Sequence, residues 1–130
     1  MPRPLPTWIE GPPGEFSASV TGYDGTWLAT VSRRAAGTAT PAAVVTVEGD
    51  VDLDTAPLLQ AGLLRALQSW PFVVCDLNKV TFFGAAGTTA LLAARRCASA
   101  TGHTLSLRGA RGMTRQILEM FDLANLIMDD

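Results

Sequence analysis

The chain is poor in the side chains that carry most acid-base and metal chemistry. Its 130 residues hold one histidine, His103, one lysine, Lys79, and two cysteines, Cys75 and Cys97. A single histidine completes no triad and no histidine-based metal set, so histidine catalysis is not expected. The cysteine spacing matches no zinc knuckle, and reduced thiols are expected. Charge of one sign is also missing: ten Lys and Arg face twelve Asp and Glu, a net charge of -2. Without a basic surface there is no electrostatic case for nucleic acid. No apolar run approaches the roughly 20 residues that span a bilayer, and the N-terminus shows no signal-peptide core. No membrane partner is therefore expected, and the expected location is the cytoplasm.

What the chain does have is 48% hydrophobic residues, enough for one domain to bury a core without staples. Residues 1 to 22 hold five of the eight prolines and show no periodicity, so they read as a Pro/Gly-rich flexible tail, with the domain running from 23 to 130. Pro2, Pro4 and Pro6 suit a short polyproline stretch; Trp8, Ile9 and Phe16 are placed to pack back on a sheet. Trp27 to Val31 and Val44 to Val47 read as an antiparallel pair joined by a long loop, Ser32 to Pro41. Strand and helix then alternate. A helix capped by Asp54 or Thr55, with Pro57 in its first turn, carries the stripe Leu58, Leu59, Leu63, Leu64 and Leu67 to about Ser69. Phe72 to Leu77 is a buried strand, and Asn78 and Lys79 read as a turn. Ala85 to Ala100 is a helix stopped by Gly102, with Ala90, Ala93, Ala94 and Cys97 on one face. Thr104 to Leu107, a helix from Thr114 to Phe121 and a short terminal strand, Leu126 to Met128, close the chain. This alternation predicts an α/β fold: a mixed, mainly parallel sheet of four to five strands with helices on one face.

Three sets of residues are candidates for function. The first is the acidic alternation Glu48, Asp50, Asp52 and Asp54. A calcium loop counted from Asp50 would need Gly and Glu where Thr55 and Ala61 stand, so that reading fails, and no metal or cofactor is assigned. The simpler role is capping by Asp54, with Asp50 and Asp52 solvated or in contact with a partner. The second is the corner Phe83, Gly84, Ala85, Ala86, Gly87 and Thr88. It lacks the Gly-Lys-Ser/Thr of a phosphate loop, and its small residues suit the close approach of another protein. Gly84 is expected to take a conformation that a side chain would resist; Thr88 and Thr89 are expected to bond back to carbonyls one turn earlier. The third is the pair Cys75 and Cys97, open to a redox role but read more simply as small apolar side chains. None of these sets pairs a nucleophile with a base, and the chain is not expected to be an enzyme.

The order of these features resembles the STAS family, the sulphate-transporter and anti-sigma-factor-antagonist domain. VVTVEGDVDLDTAP resembles its strand followed by a Gly-Glu-Leu-Asp type motif, with Gly49, Asp50, Val51 and Asp52 in those places. VVCDLNKVTFFGAAGTTALL resembles its second signature, a strand, Asp-Leu, a turn, then Phe-x-Asp-Ser-Ser-Gly and a helix. LSLRGARGMTRQILEMFDLANLI resembles its closing strand, helix and strand. The resemblance implies a bacterial regulator that binds an anti-sigma factor of the histidine-kinase-like ATPase type and frees a sigma factor, in transcription control of the stress-response kind. Where that family places an aspartate and the phosphorylated serine, this chain has Gly84 and Ala85, followed by Ala86. Alanine carries no hydroxyl, so the phospho-switch at that position is lost. The alternative is a STAS scaffold or small-ligand-sensing domain. Self-association as a homodimer stays open.

Overall fold

The computed structural model describes residues 7–11, 15–22, 24–36 and 42–128. Pro2, Pro4 and Pro6 lie outside them. In chain order the elements are β1 (Ile9–Glu10), β2 (Phe16–Thr21), β3 (Trp27–Ala36), β4 (Ala42–Val51), α1 (Ala56–Ser69), β5 (Phe72–Phe83), α2 (Ala85–Thr101), β6 (Thr104–Arg108) and α3 (Gly112–Met120). A 3-10 turn, Ala124–Leu126, follows, and Ile127 bridges Leu107 in parallel fashion. The strands form one sheet in the order β1-β2-β3-β4-β5-β6.

The α/β class and the mixed sheet agree with the expectation, but the sheet has six strands rather than four to five. Its pairings also divide differently. β1 to β4 are antiparallel neighbours, and only β4 with β5 and β5 with β6 run parallel. The added strands come from the segment expected to be a tail. Phe16, Ala18 and Val20 alternate inward on β2 and are all but fully buried, a period-2 signal that the surrounding prolines and glycines obscured. Trp8 packs edge-on against Phe16, with ring centroids 4.7 Å apart, whereas Ile9 is exposed. Ser32 to Ala36, expected in the loop, instead extend β3 opposite Ala42 to Thr46.

One sheet face carries the core. Ala18, Val31, Val47, Val45, Cys75 and Leu107 lie in cross-strand register and are buried under Leu59, Leu63 and Leu67 of α1 and Leu91 and Ala94 of α2. Each fully buried Leu or Val contributes about 1.5–3 kcal/mol relative to exposure. Gly62 lets α1 approach the sheet, since a Cβ there would lie 2.7 Å from Val31 Cγ1. The opposite face is polar, with Ser19 and Thr30 in hydrogen bond and Arg108 clasping Asp76 at 3.0 Å. β5 runs on through Asn78 and Lys79, where a turn was expected. Pairing with β4 continues there, Lys79 opposite Glu48, with irregular register absorbing the polar residues.

Candidate functional site

The acidic segment and the glycine-alanine corner meet where β4 and β5 end beside the start of α2. Gly84 N–H donates to the Val51 carbonyl at 2.8 Å, which fixes the corner against the end of β4. Gly84 is the N-cap of α2 and is ordinary extended backbone, φ -95° and ψ -180°. The expected conformational need for glycine is therefore absent at 84. What glycine does there is leave room, since a Cβ would approach the Phe82 ring to 3.1 Å. The stricter requirement is at Gly87, where a Cβ would lie 2.6 to 2.9 Å from three atoms of the Phe83 ring. Phe83 and Gly87 are a packed pair that seats α2 on β5.

Burial sorts the corner residues. Ala85 is exposed and Gly84 and Ala86 are half-buried, whereas Phe83, Gly87 and Thr88 are buried. The last three, expected to touch a partner, instead support the surface from beneath. Thr88 Oγ1 donates to the Ala85 carbonyl at 2.6 Å, as expected of a helical threonine. Thr89 is exposed.

The N-cap position of α1 falls to Thr55, one of the two residues expected there, without a side-chain cap hydrogen bond, while Asp52 closes the turn that precedes the helix. Asp52 Oδ1 accepts the Asp54 N–H at 2.9 Å and the Thr55 N–H at 3.2 Å. Thr55, at the N-cap position of α1 and buried, accepts the Asp52 N–H at 2.9 Å and donates its hydroxyl to the Asp50 carbonyl at 2.5 Å. The carboxylate of Asp50 accepts the Thr81 hydroxyl at 2.5 Å. Asp54 is exposed. Among the described residues no cluster of three or more histidine, cysteine or acidic side chains is placed to hold a metal ion.

Sequence reasoning missed the apolar surface around Ala85. Leu53, Phe82 and Met113 are 84%, 55% and 70% exposed, which is far more than large apolar side chains ordinarily show. Leu53, Ala86 and Thr89, with Ala56, Pro57 and Leu64, line a hollow of about 420 Å³ between α1 and α2. On the other side of the corner, Phe82, Met113, Ile117 and Arg111 line a second hollow of about 320 Å³ between β5 and α3. A hint was present in Leu53 and Phe82, each an apolar residue beside a turn; Met113 is brought there only by the fold.

The remaining candidates stand apart from this surface. Cys75 is fully buried on β5, and burial, followed by the neighbouring charge of Asp76, pushes its thiol up to about 12. Burial and the raised value both disfavour the thiolate that thiol redox chemistry uses. Cys97 is half-buried on α2, and both cysteines are free. His103 Nδ1 donates to the Leu67 carbonyl at 2.6 Å, tying the end of α2 to α1. Among the described residues, no helix is long and apolar enough to cross a membrane.

A family model described as "Mlab, STAS domain" matches residues 35–128. The chain belongs to the STAS domain family. No curated protein matches this STAS domain in sequence. Among solved structures, the anti-sigma factor antagonist SpoIIAA in its unphosphorylated form is similar at 15% identity, over 75% of this chain and 87% of that one, with a TM-score of 0.63. The Bacillus SpoIIAA in its phosphorylated form is similar at 15% identity, over 75% and 90%, with a TM-score of 0.60. An anti-sigma factor antagonist from Mycobacterium paratuberculosis is similar at 22% identity, over 83% and 87%, also with a TM-score of 0.63. At these identities the likeness is one of fold.

Proposed function

We propose that this STAS domain is an anti-sigma factor antagonist that binds a kinase-type anti-sigma factor and so frees a sigma factor, with no phosphoryl switch at residue 85. The observation that carries the reading is the corner itself. Ala85, small, exposed and without a hydroxyl, adjoins Ala86 of one hollow and follows Phe83 of the other, and the exposed Leu53, Phe82 and Met113 line the two. Apolar side chains left exposed around a well-supported backbone corner are what a partner buries on docking. The chain acts by binding and not by catalysis, in a soluble setting within the cytoplasm, without nucleic acid.

The test is retention of a kinase-like ATPase from the native cells on immobilised chain, followed by its affinity for variants. Ala85→Glu and Phe82→Ala should each weaken the complex tenfold or more, about 1.4 kcal/mol, while the urea midpoint of the free domain stays put. Unchanged affinity in both removes the corner as the interface. A second reading, a scaffold or small-ligand domain, is favoured by one feature: the hollow between α1 and α2 is lined almost wholly by apolar side chains and by no charged group. Retention of no ATPase, together with an apolar small molecule co-purifying with the chain, would decide for it.

A further inference from the structure

β1 is the least anchored strand of the sheet. It pairs with β2 at two positions, Ile9 with Ser17 and Glu10 with Phe16, and it stands at the end of the strand order. Alternate side chains of a strand share a face. Ile9 is turned outward and is 66% exposed, whereas Trp8 and Glu10 both reach towards α1. The surface beneath them is shaped for that pair. Gly62 of α1 leaves a notch, since a Cβ there would lie 3.2 Å from Trp8 Cη2. Arg65, three residues further along α1, pairs with Glu10 and holds its guanidinium 5.9 Å from the centre of the Trp8 ring and 5.1 Å from that of Phe16. Arg33 of β3 lies 4.3 Å from the centre of the same Phe16 ring. Two guanidiniums therefore crowd one ring. Burial, followed by the charge of Arg65, pushes the Arg33 guanidinium below its ordinary range, and the Glu10 carboxylate opposes that push. An aromatic notch thus comes with a call for a carboxylate two positions on.

We propose that the surface under β1, formed by Gly62, Phe16, Arg65 and the edge of β2, is a separate protein-docking site. It takes an extended segment that carries an aromatic residue and, two positions later, a carboxylate, and Trp8-Ile9-Glu10 occupies it in cis as a displaceable strap. The strap is weakly held. The Arg65–Glu10 pair joins two exposed side chains and so contributes little, and two paired positions fall well short of the roughly five or six residues of an ordinary strand. Most of the attachment is left to the Trp8 ring. An incoming segment pairs with the β2 edge, as in strand addition to other sheets, and places its own ring in the Gly62 notch and its own carboxylate beside Arg65. Because the strap is covalently joined, it competes at an effective concentration of about millimolar, which sets the threshold a partner must exceed. The site lies on the β2 side of α1 and uses neither Ala85 nor the residues of the two apolar hollows, so it does not depend on the anti-sigma reading.

The experiment titrates a synthetic peptide of residues 5–11 into the full wild-type chain and into its Trp8→Ala variant, with binding followed by amide chemical shifts. The peptide is expected to bind the variant, with the largest shifts at Ser17 and Gly62, and to bind wild type at least tenfold more weakly because the strap fills the site. A peptide carrying Trp8→Ala should lose at least tenfold on the same variant. Adding Arg65→Glu to the receiving chain should reverse the preference between the parent peptide and one carrying Glu10→Lys. Equal binding to both chains, equal binding with and without the tryptophan, or no binding at millimolar peptide to a variant whose urea midpoint shows it folded, overturns the inference. If Trp8→Ala unfolds the chain, Glu10→Lys, at an exposed position, replaces it as the receiver and the same outcomes decide.

Discussion

Gly87 and Ala85 are two residues apart and do opposite work. At Gly87 any side chain meets the Phe83 ring below 3 Å, and Gly87 and Phe83 are both buried, so Gly87→Ala is an overpacking change. It should lower stability by about 1–3 kcal/mol in urea unfolding. Ala85 points to solvent, so Ala85→Glu should leave that midpoint within about 0.5 kcal/mol of wild type while it disrupts binding. Asp76 has a residue-scale signature in pH. Burial alone would raise its carboxyl, but the Asn78 N–H and the Arg108 guanidinium hold it below the usual carboxylate range. A depressed value in the folded state means that Asp76 adds stability above the unfolded value near 4, and loses that contribution as pH falls towards the folded value. Urea midpoints should therefore drop on acidification below about pH 4. Asp76→Asn should lower the midpoint at pH 7 and flatten the acid limb. In sequence Asp76 is one residue of a strand read as buried; Arg108, 32 positions on, reaches it because β6 pairs beside β5.

At the scale of elements, α1 and α2 were legible because their apolar stripes and the stop at Gly102 are local signals, and Gly102 does adopt φ +72°. The hydrogen bonds of the turn ahead of α1 were not legible. Thr55, one of the two residues expected at the cap, does hold the N-cap position, but it is the Asp52 side chain that turns back to meet the Asp54 and Thr55 N–H groups. Cys75 and Cys97 illustrate the same limit. Both are isolated cysteines in sequence, and only their elements separate them: β5 is sealed beneath the helices, while Cys97 faces partly outward from α2. A disulfide-based thiol reagent at neutral pH should label Cys97 in the native chain and leave Cys75 unreacted until urea unfolds it. Rapid labelling of both, or retention of fast labelling in Cys97→Ala, would contradict this arrangement.

Across the whole molecule, the sheet depends on the segment that composition alone marked as a tail. Phe16, Ala18 and Val20 of β2 cover one flank of the core beside Val31 and α1, and Arg33 and Arg65 pack over the Phe16 ring. Deleting residues 1–21 should cost several kcal/mol, on the scale of the large-to-small changes at buried Val and Phe, and should leave a chain that unfolds at much lower urea. A chain that keeps its midpoint after this deletion would show that β2 is dispensable. From the sequence alone came the α/β class, the alternation from β4 onward, the family resemblance and the missing hydroxyl at 85, because propensity, periodicity and residue identity are local properties. The tertiary structure alone decided the six-stranded sheet, the buried role of Phe83, Gly87 and Thr88, the apolar ring of Leu53, Phe82 and Met113, and the meeting of Thr81 with Asp50. Those depend on which strands lie side by side and where a bulge falls, and such pairings join residues about 30 positions apart that no local pattern connects.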